Sequence, residues 1–151
     1  MNNIEKIQLL VKEIQNLFFS KKHNLIILET KKAIKKYPNV SIFYNMLGLA
    51  LSNIGKFDNA KLVLEKGHKV NNNDLAIINN LANVYKSIFN YAEAEELYKL
   101  SISKNKDYFN AYVNYGNLKR DLNQFNEAID LYKKALNYNN QIPAIYYSLS
   151  M

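Results

Sequence analysis

Residues that could carry catalysis or bind a metal are few in this chain of 151 residues. The absence of cysteine excludes disulfides, thiol catalysis and cysteine-ligated zinc or iron–sulfur sites. The two histidines, His23 and His68, have no histidine or carboxylate three or four positions later, the spacing that builds a metal-binding helix face. Glu93, Glu95 and Glu96 cluster at a predicted helix start, where carboxylates stabilise the positive end of the helix dipole. We therefore expect no catalytic residue, no metal and no cofactor.

The composition is that of one globular domain. Apolar residues make up 48% and charged residues 22%, and the 4 glycines and 2 prolines are too few for the many turns of an all-β fold. No apolar run approaches the roughly 20 residues of a membrane-spanning helix, and the N-terminus lacks a signal-peptide pattern. We expect a cytoplasmic protein that does not enter a membrane.

The elements that position these side chains follow a repeat. A shift of 34 positions aligns small and large apolar residues in alternate columns, as close helix packing requires. The columns are Leu47, Leu81 and Tyr115; Gly48, Ala82 and Gly116; Phe57, Tyr91 and Phe125; Ala60, Ala94 and Ala128; and Leu64, Tyr98 and Tyr132.

Within each unit, apolar residues recur every three to four positions, which predicts helices. We predict helices over residues 4–20, 24–37, 41–54, 57–71, 75–89, 91–104, 108–122 and 125–138. These form repeats at about 4–40, 41–74, 75–108 and 109–142, with a partial fifth from Pro143 over 143–151. We expect a single domain that is a piece of a longer protein.

Several residues have predicted local roles. Asp74 and Asp107 precede helices as N-caps, and Asn90 with Glu93 has the spacing of a capping box. Lys119 departs from its apolar column, and we expect its stem to cover the core while its ammonium reaches water. The first unit also departs, with Ile14 and Ile26 in the small-residue columns, as is common in a terminal repeat.

The period and the columns resemble the tetratricopeptide repeat, over nearly the whole chain. The resemblance implies an all-α, right-handed solenoid of antiparallel helix pairs, in which the first helix of each pair lines a concave groove. Carried over from the resemblance, the polar residues of this groove are Asn45, Asn79, Asn80, Asn83, Lys86, Asn110, Asn114, Asn117 and Arg120.

Two asparagines in this groove have a more particular resemblance. The positions of Asn80 and Asn114 resemble those of the asparagine ladder in O-linked N-acetylglucosamine transferases, which holds a peptide by its main chain. A carboxamide both donates and accepts, so such a row can pair with successive peptide groups. Compositional bias is the alternative, because the chain contains 24 asparagines. Lys86 and Arg120, one repeat apart, could pair with a ligand carboxylate.

Basic residues concentrate in the first repeat. Residues 1–40 hold eight lysines and three glutamates, a net charge of +5 out of +7 for the chain. Lys31, Lys32, Lys35 and Lys36 form a patch on one predicted helix. Such a patch can attract nucleic acid or anionic lipid, but the solvated outer face of a terminal repeat is the better explanation.

We predict a non-enzymatic module that binds a protein or an extended peptide in its concave groove. The alternatives are the non-catalytic arm of a longer glycosyl-, sulfo- or methyltransferase, and nucleic-acid binding through the lysine-rich repeat. We also expect self-association, because Ile145, Tyr146 and Leu149 in the partial fifth repeat have no second helix to cover them.

Overall fold

The computed structural model describes residues 2–139, which form eight α-helices and no strand. These are α1 (Asn3–Phe19), α2 (His23–Lys36), α3 (Ser41–Asn53), α4 (Phe57–Val70), α5 (Leu75–Ser87), α6 (Tyr91–Lys104), α7 (Phe109–Asp121) and α8 (Phe125–Tyr138). The all-α prediction is confirmed, and every helix end lies within two residues of its predicted position. The predicted partial fifth repeat and its helix from Pro143 lie outside the described residues.

The period of the sequence reappears in the helices. The second helices of the four units begin at His23, Phe57, Tyr91 and Phe125, and each start lies 34 positions after the last. The register extends into the divergent first unit, because Ile14 and Ile26 occupy the columns of Gly48 and Ala60 and are fully buried. The larger isoleucines fill a terminal unit that packs against only one neighbouring repeat.

The two helices of each unit join at a left-handed residue. Lys21, Gly55, Phe89 and Asn123 have φ values of 52°, 75°, 64° and 60°, again 34 positions apart. Glycine adopts this conformation without strain, asparagine tolerates it, and lysine and phenylalanine adopt it at a cost. The geometry of the helix pair therefore fixes the turn, whatever residue stands there.

Small residues allow the two helices of a unit to approach. A Cβ added at Gly116 would lie 2.5 Å from Cε1 of Tyr132, and one added at Gly48 would collide with Leu64. Ala60, Ala94 and Ala128 are buried in the facing helices. These contacts join the large and small columns as the sequence pattern predicts.

The predicted helix caps are only partly correct. Asp74 caps α5 as predicted, since its Oδ1 accepts from the backbone N–H groups of Ala76 at 3.1 Å and Ile77 at 3.2 Å. Asp107 was predicted wrongly, because Tyr108 occupies the N-cap position of α7 and makes no side-chain cap. The Asn90–Glu93 capping box is also absent, because the side chain of Asn90 makes no capping hydrogen bond. Asn90 follows the left-handed Phe89 and has a ψ of 72°.

Lys119 corrects a further prediction. Its side chain is only 7% exposed, so the ammonium is not simply hydrated at the surface. It pairs instead with Glu95 of α6 at 3.1 Å and Glu127 of α8 at 3.0 Å, and lies over the Tyr115 ring. A buried ammonium is stable only with such compensation, so the core accepts a charge where three helices bring its partners together.

Candidate peptide-binding groove

The predicted groove residues lie on one side of the first helices α3, α5 and α7. Asn45 lies on α3, Asn79, Asn80, Asn83 and Lys86 on α5, and Asn110, Asn114, Asn117 and Arg120 on α7. Most are partly exposed, Asn110 is exposed, and Asn79 is buried at 5% exposure. Asn79 is therefore placed to support the surface rather than to contact a ligand.

Asparagines of neighbouring repeats are joined in pairs. Nδ2 of Asn80 donates to Oδ1 of Asn45 at 2.8 Å, and Nδ2 of Asn114 donates to Oδ1 of Asn79 at 3.3 Å. Each donor carboxamide keeps one N–H and its own oxygen without a further partner among residues 2–139. The pairs thus hold Asn80 and Asn114 in one orientation and leave a donor and an acceptor on each.

A second row of asparagines is fixed from below by tyrosines. The Tyr98 hydroxyl donates to Oδ1 of Asn83 at 2.6 Å, and the Tyr132 hydroxyl donates to Oδ1 of Asn117 at 2.8 Å. Burial raises the pKa of Tyr98, and the negative charge of Asp121 raises it further, so its hydroxyl stays protonated and continues to donate. These bonds tie the second helix of each unit to its groove surface.

The two cations of the predicted carboxylate clamp have a carboxylate in the chain itself. Nζ of Lys86 lies 3.0 Å from Oδ2 of Asp121, and Nη2 of Arg120 lies 3.3 Å from Oδ1. Asp121, one position after Arg120, was not among the predicted groove residues. A ligand carboxylate must compete with Asp121 for both cations.

The groove also has an apolar end, to which α1 contributes residues that were not predicted. Gln15, Phe18 and Phe19 of α1 meet α3 around a cleft of about 420 Å³, whose other lining residues are Ile42, Asn45, Met46 and Leu49. Phe19 is 87% exposed. The signal was present, because Phe18 stands 34 positions before Ser52 and so continues a groove column into the first repeat.

The remaining candidate residues lie away from the groove. Lys31, Lys32, Lys35 and Lys36 are exposed on α2, where Lys32 pairs with Glu29 at 2.8 Å and Lys36 lies over the Tyr37 ring. His23 and His68 are partly buried at opposite ends of their helices. Within the described part of the chain, His, Asp and Glu form no cluster that could hold a metal ion. No helix in the same range is long and apolar enough to cross a membrane.

The repeated helix pairs and the groove along their first helices define a tetratricopeptide-repeat protein. The family described as "Psidin, N-terminal TPR repeats region" matches residues 11–145, and the chain belongs to this family.

Two curated relatives match part of their own length. The chain is 31% identical over 97 residues to the Pyropia yezoensis protein described as "Uncharacterized protein ycf37", a match that covers 58% of this chain and 52% of that protein. It is 26% identical over 118 residues to the Drosophila melanogaster protein O-mannosyl-transferase Tmtc3, over 68% of this chain and 13% of that protein. The chain therefore spans about half the length of the first and a small part of the second.

Solved structures share the fold at low identity. TTC0263, a thermophilic TPR protein of Thermus thermophilus, matches with a TM-score of 0.85 and 17% identity over 93% of this chain and 78% of its own. MamA matches with a TM-score of 0.73 and 20% identity, over 88% of this chain and 78% of its own. The first TPR of Spaghetti (RPAP3), bound to an HSP90 peptide, matches with a TM-score of 0.68 and 23% identity, over 73% of this chain and 87% of its own.

Proposed function

We propose that the chain is a non-catalytic protein-interaction module that binds an extended peptide in its concave groove. The observation that carries the proposal is the pair of oriented carboxamides at Asn80 and Asn114. Each is held by the preceding repeat and keeps a donor and an acceptor for a peptide group. The similar fold of Spaghetti (RPAP3), whose structure holds an HSP90 peptide, supports this choice of ligand class.

The groove favours a peptide with two kinds of contact. The cleft between α1 and α3, with Phe18 and Met46, suits a bulky apolar side chain. The asparagines of α5 and α7 suit the main chain beyond it, as in the asparagine ladder of O-linked N-acetylglucosamine transferases. Sequence preference then arises mainly at the apolar end, because main-chain bonds do not depend on side-chain identity.

The test is a peptide selection followed by measured affinities. Random dodecapeptides displayed on phage are selected on the chain, and enriched peptides are titrated by fluorescence anisotropy. We expect Asn80→Ala with Asn114→Ala to weaken binding about tenfold or more, since each loses hydrogen bonds to the peptide. Asn59→Ala, on the exposed side of α4, is the matched control. Enriched peptides that bind the double variant as tightly as the wild type would refute the proposal.

A second role is compatible with the first. The match to 13% of Tmtc3 supports a chain that presents substrates as the arm of a longer transferase. The length of the natural reading frame beyond Met151 decides this role. A transferase domain downstream would support it, and a stop codon directly after Met151 would exclude it.

A further inference from the structure

A second cleft lies on the opposite side of α5 from the groove. It is an open cleft of about 530 Å³ between α4, α5 and α6, and its lining includes Leu81, Leu97 and Leu100. On α5 the cleft is lined by Leu81 and Tyr85, which are four positions apart on one helix face, whereas Asn79, Asn83 and Lys86 point to the other face. We call this the outer cleft; a ligand in it would not contact the peptide groove.

Three carboxylates line the outer cleft, in a chain whose net charge is +7. They belong to Glu65, Glu93 and Glu96, and none of them forms an ion pair within residues 2–139. Glu65 accepts a hydrogen bond from the Tyr85 hydroxyl at 2.9 Å. The cleft therefore combines negative charge with an apolar floor; His68 also lines it, and among the residues that the structure describes no lysine or arginine does.

The next repeat shows what binds at the equivalent place. Tyr85 and Glu93 stand 34 positions before Lys119 and Glu127. There the Lys119 ammonium lies 3.0 Å from Glu127 and is buried between α6, α7 and α8. The carboxylate of this column thus binds an ammonium in one repeat, and in the preceding repeat Tyr85 replaces the lysine that would supply it. Glu93 therefore has no ammonium from this column, whereas Glu127 has that of Lys119.

We propose that the outer cleft binds a lysine or arginine side chain of a partner protein segment. The charged end pairs with Glu93, Glu96 and Glu65, and the aliphatic stem lies on Leu81, Leu97 and Leu100. Because the rest of the chain is basic, a run of cations is repelled, and the segment that fits best has one basic residue between apolar neighbours.

The probe is the peptide acetyl-Ala-Leu-Lys-Leu-Ala-amide, compared with the same peptide carrying norleucine in place of lysine. Binding is followed by amide chemical shifts in two-dimensional NMR at low ionic strength. We expect saturable shifts at residues 65–68, 85 and 93–100 with the lysine peptide, and at least tenfold weaker binding of the norleucine peptide. Equal binding of the two peptides would overturn the proposal.

Two kinds of variant separate the cleft from general charge effects. Glu93→Gln with Glu96→Gln removes the anions, and Tyr85→Lys supplies the missing ammonium from within, as Lys119 does in the next repeat. Both changes are expected to weaken binding of the lysine peptide at least tenfold. Glu13 is an exposed glutamate of α1, and Glu13→Gln is expected to leave binding unchanged. Binding that survives the double variant would overturn the proposal, even if Tyr85→Lys failed to fold.

The same variants distinguish other occupants and the proposed function. Sedimentation of the chain alone at low salt tests whether a second copy occupies the cleft. Self-association that is present in the wild type and lost in the Glu93→Gln, Glu96→Gln variant would identify a second copy as the occupant. That result would overturn the proposal of a separate partner protein. Asn80→Ala with Asn114→Ala is expected to leave the lysine peptide bound, because the peptide groove is on the other face of α5. Loss of binding in that variant would place the peptide in the groove and overturn the outer cleft.

Discussion

A charged side chain at a core position depends on partners from several helices. Glu95 receives hydrogen bonds from Lys99 of its own helix at 2.6 Å, from the Tyr115 hydroxyl at 2.7 Å and from Lys119 at 3.1 Å. Partial burial alone would raise the pKa of Glu95, but these hydrogen bonds outweigh it and lower the pKa from 4.5 to about 2. Glu95 is therefore ionised under all but strongly acidic conditions.

This low pKa makes stability depend on pH through Glu95. Between pH 4.5 and about 2 the unfolded chain binds a proton that the folded chain does not, so stability rises with pH in this window and is lost as pH falls. We expect Glu95→Gln to reduce the free energy of unfolding by about 1 kcal/mol at pH 6, a value that allows for solvent screening, and by much less near pH 2. Urea unfolding at pH 2.5, 4 and 6 measures the difference.

Glu13→Gln provides the control, since Glu13 is exposed on α1. Its unfolding curves are expected to follow those of the wild type at all three pH values. If the Glu95→Gln and wild-type curves remained parallel from pH 6 to pH 2.5, Glu95 would not have the lowered pKa.

The sequence identifies Lys119 as an exception to its column but not its partners. Glu95 and Glu127 stand 24 and 8 positions away from it, separations that no single helix brings into contact. Asp121 was missed for a similar reason, because Lys86 is 35 positions away on the preceding first helix. Interactions within one helix can be read from spacing, whereas these depend on how helices of different repeats pack.

At the scale of helices, the turn within each unit is fixed by geometry more strongly than by residue type. Four different residues, Lys21, Gly55, Phe89 and Asn123, adopt the left-handed conformation at equivalent positions. In each turn the second residue donates its N–H back to the first helix, as Lys56 does to Leu51 at 2.9 Å. Helix bounds were predictable because the breaks recur every 34 positions. The absence of a cap at Asn90 was not, since the left-handed turn at Phe89 sets the backbone that a capping side chain needs.

Opposite substitutions in two equivalent turns test this conclusion. Lys21→Gly should raise the free energy of unfolding by about 1 kcal/mol, because glycine removes the strain of a left-handed β-carbon. Gly55→Ala should lower it by a similar amount, although a Cβ at Gly55 would meet no atom within 4 Å. Urea unfolding of both variants at neutral pH gives the values.

Lys22→Gly is the control for the first of these changes, since Lys22 has an ordinary φ of −84°. There, glycine only adds freedom to the unfolded chain and should not stabilise the protein. A Lys21→Gly variant that unfolds as the Lys22→Gly variant does would show that the left-handed residue carries no strain.

At the scale of the molecule, the extensive helix contacts within residues 2–139 join helices of the same repeat or of neighbouring repeats, so stability is distributed along this part of the chain. The repeat architecture and the polar face of the groove were predictable, because columns 34 positions apart must share a face. The apolar cleft at α1 was not predicted, because the first unit departs from the repeat pattern and the cleft depends on how α1 packs against α3. The proposal for the outer cleft compares Tyr85 with Lys119, and this comparison could not be made from the sequence, because the ion pairs of Lys119 are seen only in the structure.

The distribution of burial predicts where the solenoid opens first. Helix α1 buries one residue fully, Ile14, and exposes Ile4, Leu9 and Phe19, whereas α3 and α5 each bury six residues. We expect the amides of α1 to exchange with solvent far faster than those of α5 in native-state hydrogen exchange. Ile14→Ala should speed exchange further in α1 and α2, because it leaves a cavity there, while α7 and α8 keep their wild-type rates. Equal acceleration in all eight helices would instead show that residues 2–139 unfold as one cooperative unit, without the nearest-neighbour coupling of a solenoid.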